Sequence, residues 1–587
     1  MKRTTKMQRR RSVFRTTAGA ILTCLALALG LVVSGQSQQG TDIVFRAMND
    51  ELTRSMSQLQ LKELQKPYFA QYVILDEDEY SAEATFGALT SSHRSRNRYG
   101  QTQVRIGDYD FDNSEFNPGR GGSPATGALY RTVVDDNYAG LRHDLWLASD
   151  AMYKQAIETL SQKRAYLQNK VQEEQPPDFS KEKAVRAIAQ RRNLEFDQAK
   201  WEAQLREWSR IFREYKDVQT SGVTLRARLT HRYMVNSEGT TTLQPELLVS
   251  LETGASVQAP DGMRIGYSIP FHARSFEDLP SPQVFADTIR QLAANLTSVR
   301  AAPVLEANYS GPVLLTGAAS TEMFARVLAP NLYGQRAPLG TRGSNNVSDL
   351  ADRMNRPVLP PYFTVIDDPG QKRVGDRFLI GSYEIDDQGV PAKRVALIED
   401  GLLNNMLMSR RPGQDRLQSN GHGRSGYPGR ETTQIGNLFV TAKQGKSYDE
   451  LKKQLINLAK EEKLKYALVI KGVSVSGGGP VGSPVLVYKV HVADGREELI
   501  RGASASGLSV SSLRHIQAAG KDAYVANRLT GIQGAETPVS VIAPSVLLEE
   551  MELSRPTGAQ QKPALMTHPY FNSLEASPSS PSRAVAP

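Results

Sequence analysis

The spacing of apolar residues predicts a first segment that is helical and then turns into strands. In residues 41–64 apolar side chains recur every three or four positions, which predicts an amphipathic helix that Pro67 ends. Alternation with a period of two then predicts three antiparallel strands, over residues 68–75, 80–89 and 94–107. We expect the turns between them at the acidic run 76–78 and at the serine pair 91–92.

A helical pattern returns in residues 138–217. We expect one helix over 138–174 and another over 181–217, separated by Gln175, Pro176 and Pro177. Five apolar residues of the second helix are spaced by 4, 3, 4 and 3 positions, namely Trp201, Leu205, Trp208, Phe212 and Tyr215. Such a seam is typical of packing against a neighbouring helix, and a membrane or partner surface is the alternative.

The remainder of the chain is dominated by strand patterns. Apolar and polar positions alternate in residues 220–233, 240–253 and 264–273, which predicts further strands. The pattern of residues 281–300 predicts a capped helix that ends the N-terminal half of the chain. After residue 304 short apolar strands are separated by glycine-rich loops, which favours a second, β-rich domain. The strands are expected at residues 311–315, 362–367, 395–399, 466–475, 485–492, 498–502 and 538–551.

The basic residues are concentrated at the start of the chain. The net charge is +9, but seven lysines and arginines precede Asp42, the first acidic residue, so the remainder carries 9 − 7 = +2. A nearly neutral body has no strong field to attract nucleic acid, and we therefore expect no nucleic-acid partner.

Residues 1–35 have the order of a secretory signal peptide: a basic start, an apolar run over 18–33 and small residues at the exit. The run is shorter than the ~20 residues of a spanning helix, so we expect export to the periplasm or medium with no stable membrane span. The pattern favours a Sec signal over a twin-arginine signal at Arg10-Arg11. Cys24 is the single cysteine, and its removal with this segment would exclude disulfides, thiol catalysis and zinc-thiolate sites.

The segment 311–326, GPVLLTGAASTEMFAR, predicts a buried strand that runs directly into a helix carrying Glu322. A zinc peptidase would have His-Glu-x-x-x-His here, whereas this chain has Thr321 and Arg326 at the flanking positions. Elsewhere, the eight histidines are scattered with no pair at helical spacing, which argues against another metal site without forbidding one.

Several motifs, in this order, resemble the TldD/PmbA family, the peptidase-related "modulator of DNA gyrase" proteins. They are the Asn-Ser-Glu-Gly turn at 236–239, the strand–helix at 311–326, the loops at 419–424 and 428–434, and the closing hairpin at 487–503. The resemblance implies an α+β, two-domain architecture. The expected parts are residues 41–303, with a helical insertion at 138–217, residues 304–553 as the β-rich C-terminal domain, and 554–587 as a disordered Pro/Ser-rich tail.

The resemblance also implies what this chain lacks. In the TldD branch the strand–helix bears the zinc-binding His-Glu-x-x-x-His, and a thiolate comes from the C-terminal domain. Here Thr321 is a poor zinc ligand and Arg326 is a permanent cation, and only Glu322 matches the family's general base. We therefore expect no zinc cofactor and a place nearer the metal-free PmbA (TldE) branch. Glu322 is interpreted as a surface carboxylate that pairs with Arg326 four residues away.

A second candidate site is the glycine–arginine loop, in which glycine allows close backbone approach and arginine recognises carboxylates. Its candidate ligand-binding residues are Asn420, Gly421, His422, Gly423, Arg424 and Arg430. A peptide terminus or anionic ligand is one interpretation, and a plain glycine-rich turn is the other. The glycine-rich stretch 476–484 is interpreted as a loop at the rim of a cleft.

The functional hypothesis is a zinc-free subunit that shapes a cleft for peptide or unfolded protein. It would act either with a catalytic TldD-like homologue or as a homodimer. Two alternatives remain open at this point: an active exported peptidase with an unorthodox site, and a secreted envelope scaffold or binding protein.

Overall fold

The computed structural model describes residues 42–117, 127–168, 176–341, 348–413, 417–424, 431–532 and 535–556, with Lys562, Ala564, Met566, His568 and Phe571. The expected signal segment 1–35 and most of the tail 554–587 lie outside these residues, so both stay predictions. Within the described ranges, no helix combines the length and apolar character needed to cross a membrane.

The α-helices of the described residues are α1 Ile43–Gln58, α2 Tyr138–Gln168, α3 Gln198–Arg210, α4 Pro282–Ala301, α5 Ala318–Met323 and α6 Tyr448–Glu461. The predicted helix over 281–300 is confirmed, and it begins where the Ser281 hydroxyl accepts a hydrogen bond from the backbone N–H of Val284. The first helix is shorter than predicted, because it ends at Gln58 rather than near Pro67.

The strands of the N-terminal half are β1 Pro67–Thr85, β2 Ala88–Ile106, β3 Gly127–Arg131, β4 Arg186–Ile188, β5 Val218–Asn236, β6 Thr241–Gln258 and β7 Arg264–Ala273. They form one sheet in the order β3-β2-β1-β5-β6-β4, and β7 also pairs with β6. The three strands predicted for residues 68–107 are in fact two, with the turn at Phe86 and Gly87. The acidic run stays inside β1 because Arg96 and Arg98 form ion pairs with the Asp76 carboxylate at 2.9 and 2.7 Å.

The helix predicted over 181–217 is wrong in its first half. Residues 181–197 have no regular structure apart from the short strand β4, and α3 begins only at Gln198, where the Asp197 side chain caps the backbone N–H of Lys200. The packing interpretation of the aromatic seam is confirmed at Trp208, whose ring lies 4.6 Å from that of Phe285 on α4.

The N-terminal sheet has an apolar face that the helices cover. Helices α1 and α2 pack over β1 and the end of β5 around Phe45, Tyr72 and Leu145. Helices α3 and α4 cover the other end around Leu225, Leu251 and Leu292. The opposite face of the same strands is therefore left for the C-terminal half.

The strands of the C-terminal half are β8 Tyr309–Leu315, β9 Phe363–Asp367, β10 Arg373–Val374, β11 Arg377–Phe378, β12 Val395–Glu399, β13 Leu402–Leu403, β14 Gly423–Arg424, β15 Thr432–Thr433, β16 Asn437–Ala442, β17 Tyr466–Ser474, β18 Ser483–His491, β19 Glu497–Ile500, β20 Ser504–Ser506, β21 Ile516–Ala519, β22 Tyr524–Ile532, β23 Ala535–Ala543 and β24 Val546–Ser554. Six of the seven predicted strands are confirmed. The single strand predicted over 538–551 is wrong: Pro544 and Ser545 divide it into β23 and β24, which belong to different sheets.

Two larger sheets enclose the C-terminal core. One has the order β13-β12-β9-β16-β23-β22, and the other has the order β19-β18-β17-β8-β24-β20, with β21 paired to β24. A continuous apolar cluster between them contains Phe324 beside Val365, Ile470 and Val541. Helix α6 covers the outer face of the second sheet through Leu451 and Leu455. The mixed α+β fold class, with a β-rich C-terminal half, is confirmed, and the exact domain bounds stay predictions.

Ion pairs join the two halves. The Arg410 guanidinium forms a two-pronged contact with Glu238, with both N–O distances at 2.8 Å. Glu238 belongs to the Asn-Ser-Glu-Gly turn singled out in the sequence, and Arg410 is 1 % exposed. Arg411 pairs in the same manner with Glu115 at 2.5 and 2.7 Å. The turn motif therefore serves to dock the C-terminal half on the first sheet.

Candidate functional site

The strand–helix predicted at 311–326 is confirmed. Strand β8 ends at Leu315, and α5 begins after Gly317, whose φ of 53° lies in the left-handed region that glycine adopts without strain. After Met323 the helix continues as a π-helical turn over Phe324–Leu328. Residues five apart on a regular α-helix point about 140° away from each other. The wider π turn reduces this angle, so it brings position 326 towards the side of the helix that carries positions 321 and 322.

Glu322 is buried, not on the surface as predicted, because α5 packs against β17, β22 and β23. Its side chain is 2 % exposed. The predicted pairing with Arg326 is confirmed, with Nε 2.6 Å from the Glu322 Oε2 atom. A second guanidinium, that of Arg528 on β22, lies 3.4 Å from the same oxygen. One buried carboxylate is therefore held between two cations.

Arg326 also fixes the glycine-rich loop between β17 and β18. Its Nη2 atom donates to the carbonyl of Val475 at 2.5 Å, and Nη1 donates to the carbonyl of Gly477 at 2.9 Å. A longer contact of 3.4 Å reaches the carbonyl of Gly479. The guanidinium is thus saturated by one carboxylate and by backbone carbonyls, and it acts as the anchor of the loop.

These residues do not fit a zinc ion. The Thr321 hydroxyl is buried and donates to carbonyls of its own helix, at 3.0 Å for Ala318. An arginine about 4 Å from a dication would cost roughly 8 kcal/mol at an effective dielectric constant of about 20. Among the described residues, no group of three or more His, Cys, Asp or Glu side chains is placed to hold a metal ion.

A polar face of the first sheet lies opposite the C-terminal half. Alternate residues of β5 leave the apolar core and point towards this side, including Thr224, Arg228 and Arg232. Arg228 lies 3.5 Å from the carboxylate of Glu536 on β23, and Arg232 lies 3.5 Å from that of Asp387. The two halves therefore meet partly across charged side chains, while Val485, Leu486 and Leu499 of the C-terminal half pack against the apolar cluster of the first sheet.

Part of this polar face opens into a cleft of about 800 Å³. One wall consists of β5, β6 and β7 with the end of β1, and the other wall is formed by the two flanks of the glycine-rich loop, 474–477 and 483–485. Gly477 is common to this wall and to the Arg326 anchor. The Arg326–Glu322 ion pair is thus connected to the shape of the cleft, and the glycine-rich loop lines the cleft as predicted.

The glycine–arginine loop is engaged in internal contacts. His422 is fully buried, with Nε2 3.0 Å from an Asp367 carboxylate oxygen and Nδ1 2.9 Å from the Asn420 amide oxygen. Gly421 has a φ of 78°, and its carbonyl accepts from the Tyr383 hydroxyl. Gly423 donates its N–H to Asp386 at 2.8 Å. These contacts are typical of a structural turn.

Arg424 is also buried, at 3 % exposure, with its guanidinium 4.1 Å from the centre of the Tyr383 ring and 3.6 Å from Asp387. Arg430 lies outside the described residues. None of the described residues 420–424 lines the cleft. Ligand binding by this loop stays a prediction.

Sequence reasoning missed Arg528 and the cleft residues. Arg528 reaches Glu322 from a strand far away in the sequence, so no local spacing could reveal it. For the cleft a signal was present, because apolar and polar residues alternate in the middle of β5, over 223–230, and at the end of β6, over 249–252. That pattern indicates a sheet with one polar face, but it does not show what the face lies against.

The C-terminal half matches a known family. Residues 308–555 match the model of the PmbA/TldA metallopeptidase C-terminal domain. The match assigns residues 308–555 to the C-terminal domain of the TldD/PmbA family. A metalloprotease of Methanocaldococcus jannaschii is 28 % identical to it over 204 residues, and a metalloprotease of Methanothermobacter thermautotrophicus is 27 % identical over 208. These matches cover 33 % and 34 % of this chain and 41 % of each relative, so they span about two fifths of the relatives' length.

Two solved structures show the same fold over most of the chain. A putative modulator of DNA gyrase from Thermotoga maritima has a TM-score of 0.53 at 18 % identity, covering 83 % of this chain and 96 % of that one. TldE from Thermococcus kodakarensis has a TM-score of 0.54 at 12 % identity, covering 86 % and 100 %. At such identities the likeness concerns the fold alone.

Proposed function

We propose that this chain is a zinc-free member of the TldD/PmbA family that shapes a peptide-binding cleft, either with a catalytic homologue or as a homodimer. The observation that carries the proposal is the Arg326–Glu322–Arg528 cluster. A general base needs a metal-bound water to activate in this family's type of chemistry. Here the Oε2 atom of the carboxylate contacts two guanidinium groups instead.

Peptide or unfolded protein is the proposed ligand. Serine, threonine and glycine make up much of the lining of the cleft, which suits a peptide backbone better than a rigid apolar molecule. The relatives named as metalloproteases support the same class of ligand. The expected signal segment 1–35 would bring the protein to the periplasm or the medium, so the proposed ligand is an exported one.

Peptide binding and cleavage separate this proposal from an active peptidase. Fluorescent peptides and casein would be incubated with the purified protein, with and without a chelator. We expect saturable peptide binding, no cleavage, and no effect of the chelator. Cleavage that the chelator or the substitution Glu322→Gln abolishes would contradict the zinc-free assignment.

The partner is tested by purification from the native host. Co-purification of a homologue that contains His-Glu-x-x-x-His supports the heterodimer, and a self-associated chain of twice the mass supports the homodimer. A monomer that binds no peptide would contradict both forms of the proposal.

A further inference from the structure

The chain that follows the last strand, β24, returns to the cleft. Pro556 packs against Gly502, where an added Cβ atom would lie 3.0 Å from the Cγ atom of Pro556. Gly502 lines the cleft, and so does Met263, whose methyl group lies 3.0 Å from the same Cβ position. The C-terminal tail therefore starts its course at the wall of the cleft.

Two further contacts hold the tail on the first sheet. The side chain of Gln258, the last residue of β6, donates to the carbonyl of Lys562 at 3.4 Å. The ring of His568 lies 5.2 Å from that of Phe86, in the turn between β1 and β2. The Phe571 ring lies 5.7 Å from the His568 ring, and the Phe571 N–H donates to the His568 carbonyl. The tail is thus attached at β6 and again next to β1.

Both attachment points lie at the same end of the sheet. Gln258 pairs with Arg264, the first residue of β7, and Phe86 directly follows the end of β1. Strand β5 lies between β1 and β6, so two strand spacings of about 4.8 Å separate the attachment points. The six residues from Lys562 to His568 can span about 20 Å. The direct path between the two contacts therefore crosses the beginning of β5.

That end of the sheet is also an end of the cleft. The residues of the cleft wall nearest to the strand ends are Thr220 and Ser221 on β5 and Ser256 on β6. Gln258 shares a face with Ser256, because residues two apart on a strand point to the same side. A tail held by Gln258 and Phe86 thus lies across this end of the cleft.

The sequence of the tail suits reversible docking. Residues 557–571 contain no acidic residue and two prolines, at 563 and 569. A proline fixes its φ at about −65° and disfavours a helical conformation of the residue before it, so the segment favours an extended course. The hydrogen bond to Lys562 is long, and Met566 is 85 % exposed. A segment held by few contacts detaches at little cost in free energy.

We propose that residues 557–571 form a strap across one end of the cleft, which competes with a peptide ligand and is displaced when the ligand binds. The competition rests on the proposed peptide-binding function, whereas the docking of the strap does not. A tethered segment competes at a high effective concentration. Even weak contacts therefore lower the apparent affinity for a free peptide, because only the fraction of molecules with an open cleft binds it.

Thiol reactivity tests the strap without any peptide. Thr220→Cys and Thr224→Cys are made separately in a Cys24→Ser background, each in the full chain and in a chain that ends at Pro556. Both positions line the cleft on β5, but Thr224 lies about 13 Å further from the strand end. Removal of the tail should raise the rate of reaction with a maleimide about threefold or more at position 220 and leave the rate at position 224 unchanged. Equal rates at position 220 in the two chains would overturn the strap.

Peptide binding tests the competition. By fluorescence anisotropy, the chain that ends at Pro556 should bind a labelled peptide about threefold to tenfold more tightly than the full chain. His568→Ala, which removes the ring contact with Phe86 and keeps the tail, should give part of this gain. Met566→Ala, at an exposed position of the same tail, is the matched control and should leave the affinity unchanged.

The two experiments separate the strap from the proposed function. Equal peptide affinities of the full and shortened chains would overturn the competition while leaving the proposed function intact. If neither chain bound a peptide, the proposed function would fail and the competition with it. The rates at position 220 would then still decide whether the tail lies across the cleft.

Discussion

At the scale of single residues, the decisive feature is that the partners of the Glu322 carboxylate are arginines. The carboxylate is buried and satisfied by Arg326 and Arg528, and Arg326 in turn holds the backbone of the glycine-rich loop. The pairing of positions 322 and 326 could be predicted from their spacing. The burial of Glu322 could not be predicted, because it depends on β22, a strand that lies far from Glu322 in the sequence.

Removing the Arg326 guanidinium should show how much the Arg326–Glu322–Arg528 cluster contributes to the free energy of unfolding. Arg326→Met leaves Glu322 buried with one distant partner and should lower the free energy of unfolding by about 3 kcal/mol. Urea unfolding measures this loss. Arg326→Lys keeps the positive charge but loses the planar guanidinium with its several N–H donors. Its free energy of unfolding should therefore lie between those of the native protein and the Arg326→Met variant.

A double substitution provides the control. Glu322→Gln in the Arg326→Met background also takes the carboxylate away from the buried Arg528, so it should lower the stability further. If Arg326→Met alone were as stable as the native protein, the cluster would not hold the site as described.

The pH dependence of stability should contain a contribution from His272. Burial lowers the pKa of His272 to about 4, against the opposing influence of Glu536, while an unfolded histidine titrates near 6.5. Between these pH values the unfolded chain binds more protons, so the stability from this group is complete above pH 6.5 and is lost as the pH falls towards 4. His272→Asn should flatten the stability profile in this window, as measured by thermal unfolding. The same change at the exposed His143 should leave the profile unaltered.

At the scale of elements, most strands could be predicted from the sequence. The errors occur where an ion pair or a contact with another element outweighs the local spacing of apolar residues. The acidic run in β1 resembles a turn in isolation, but arginines of β2 neutralise Asp76 across the ladder. Residues 181–197 have helical spacing, yet Arg191 extends to Asp76 and Leu194 is buried in the sheet's core. In both places the deciding partner lies on another element. The strand–helix at 311–326 was predictable because its signals are local.

The packing of α3 can be tested with its two tryptophans. Trp208 is 3 % exposed and contacts Phe285, whereas Trp201 is only partly buried. Trp208→Ala should destabilise the protein by about 3–5 kcal/mol, since it leaves a large cavity between sheet and helices. Trp201→Ala serves as the comparison in the same helix and should cost clearly less. Equal losses would mean that the seam is not buried in the way described.

At the scale of the whole molecule, ion pairs and apolar contacts join the two halves, which leave a cleft between them. The resemblance of the motifs predicted the family and the α+β architecture, and both are confirmed. The cleft could not be predicted, since it arises from how the polar face of one sheet meets the loop between β17 and β18.

The docking of the halves depends on the Arg410–Glu238 pair. Arg410→Met leaves Glu238 without its two-pronged partner and frees the Ser180 carbonyl, so we expect a loss of about 3–5 kcal/mol. In a calorimetric scan the two halves should then unfold in separate transitions. Arg290→Met, which removes an exposed ion pair with Asp287 on α4, should leave a single transition and change the stability little.

The most direct test of the account is the zinc content of the purified protein. The protein would be equilibrated with excess zinc, desalted and analysed by mass spectrometry, beside a variant with Thr321→His and Arg326→His. We expect the native chain to retain no stoichiometric zinc and the double variant to retain more, because two imidazoles then flank Glu322. Stoichiometric zinc in the native protein, lost on Glu322→Gln, would contradict the central claim that arginines have replaced the metal.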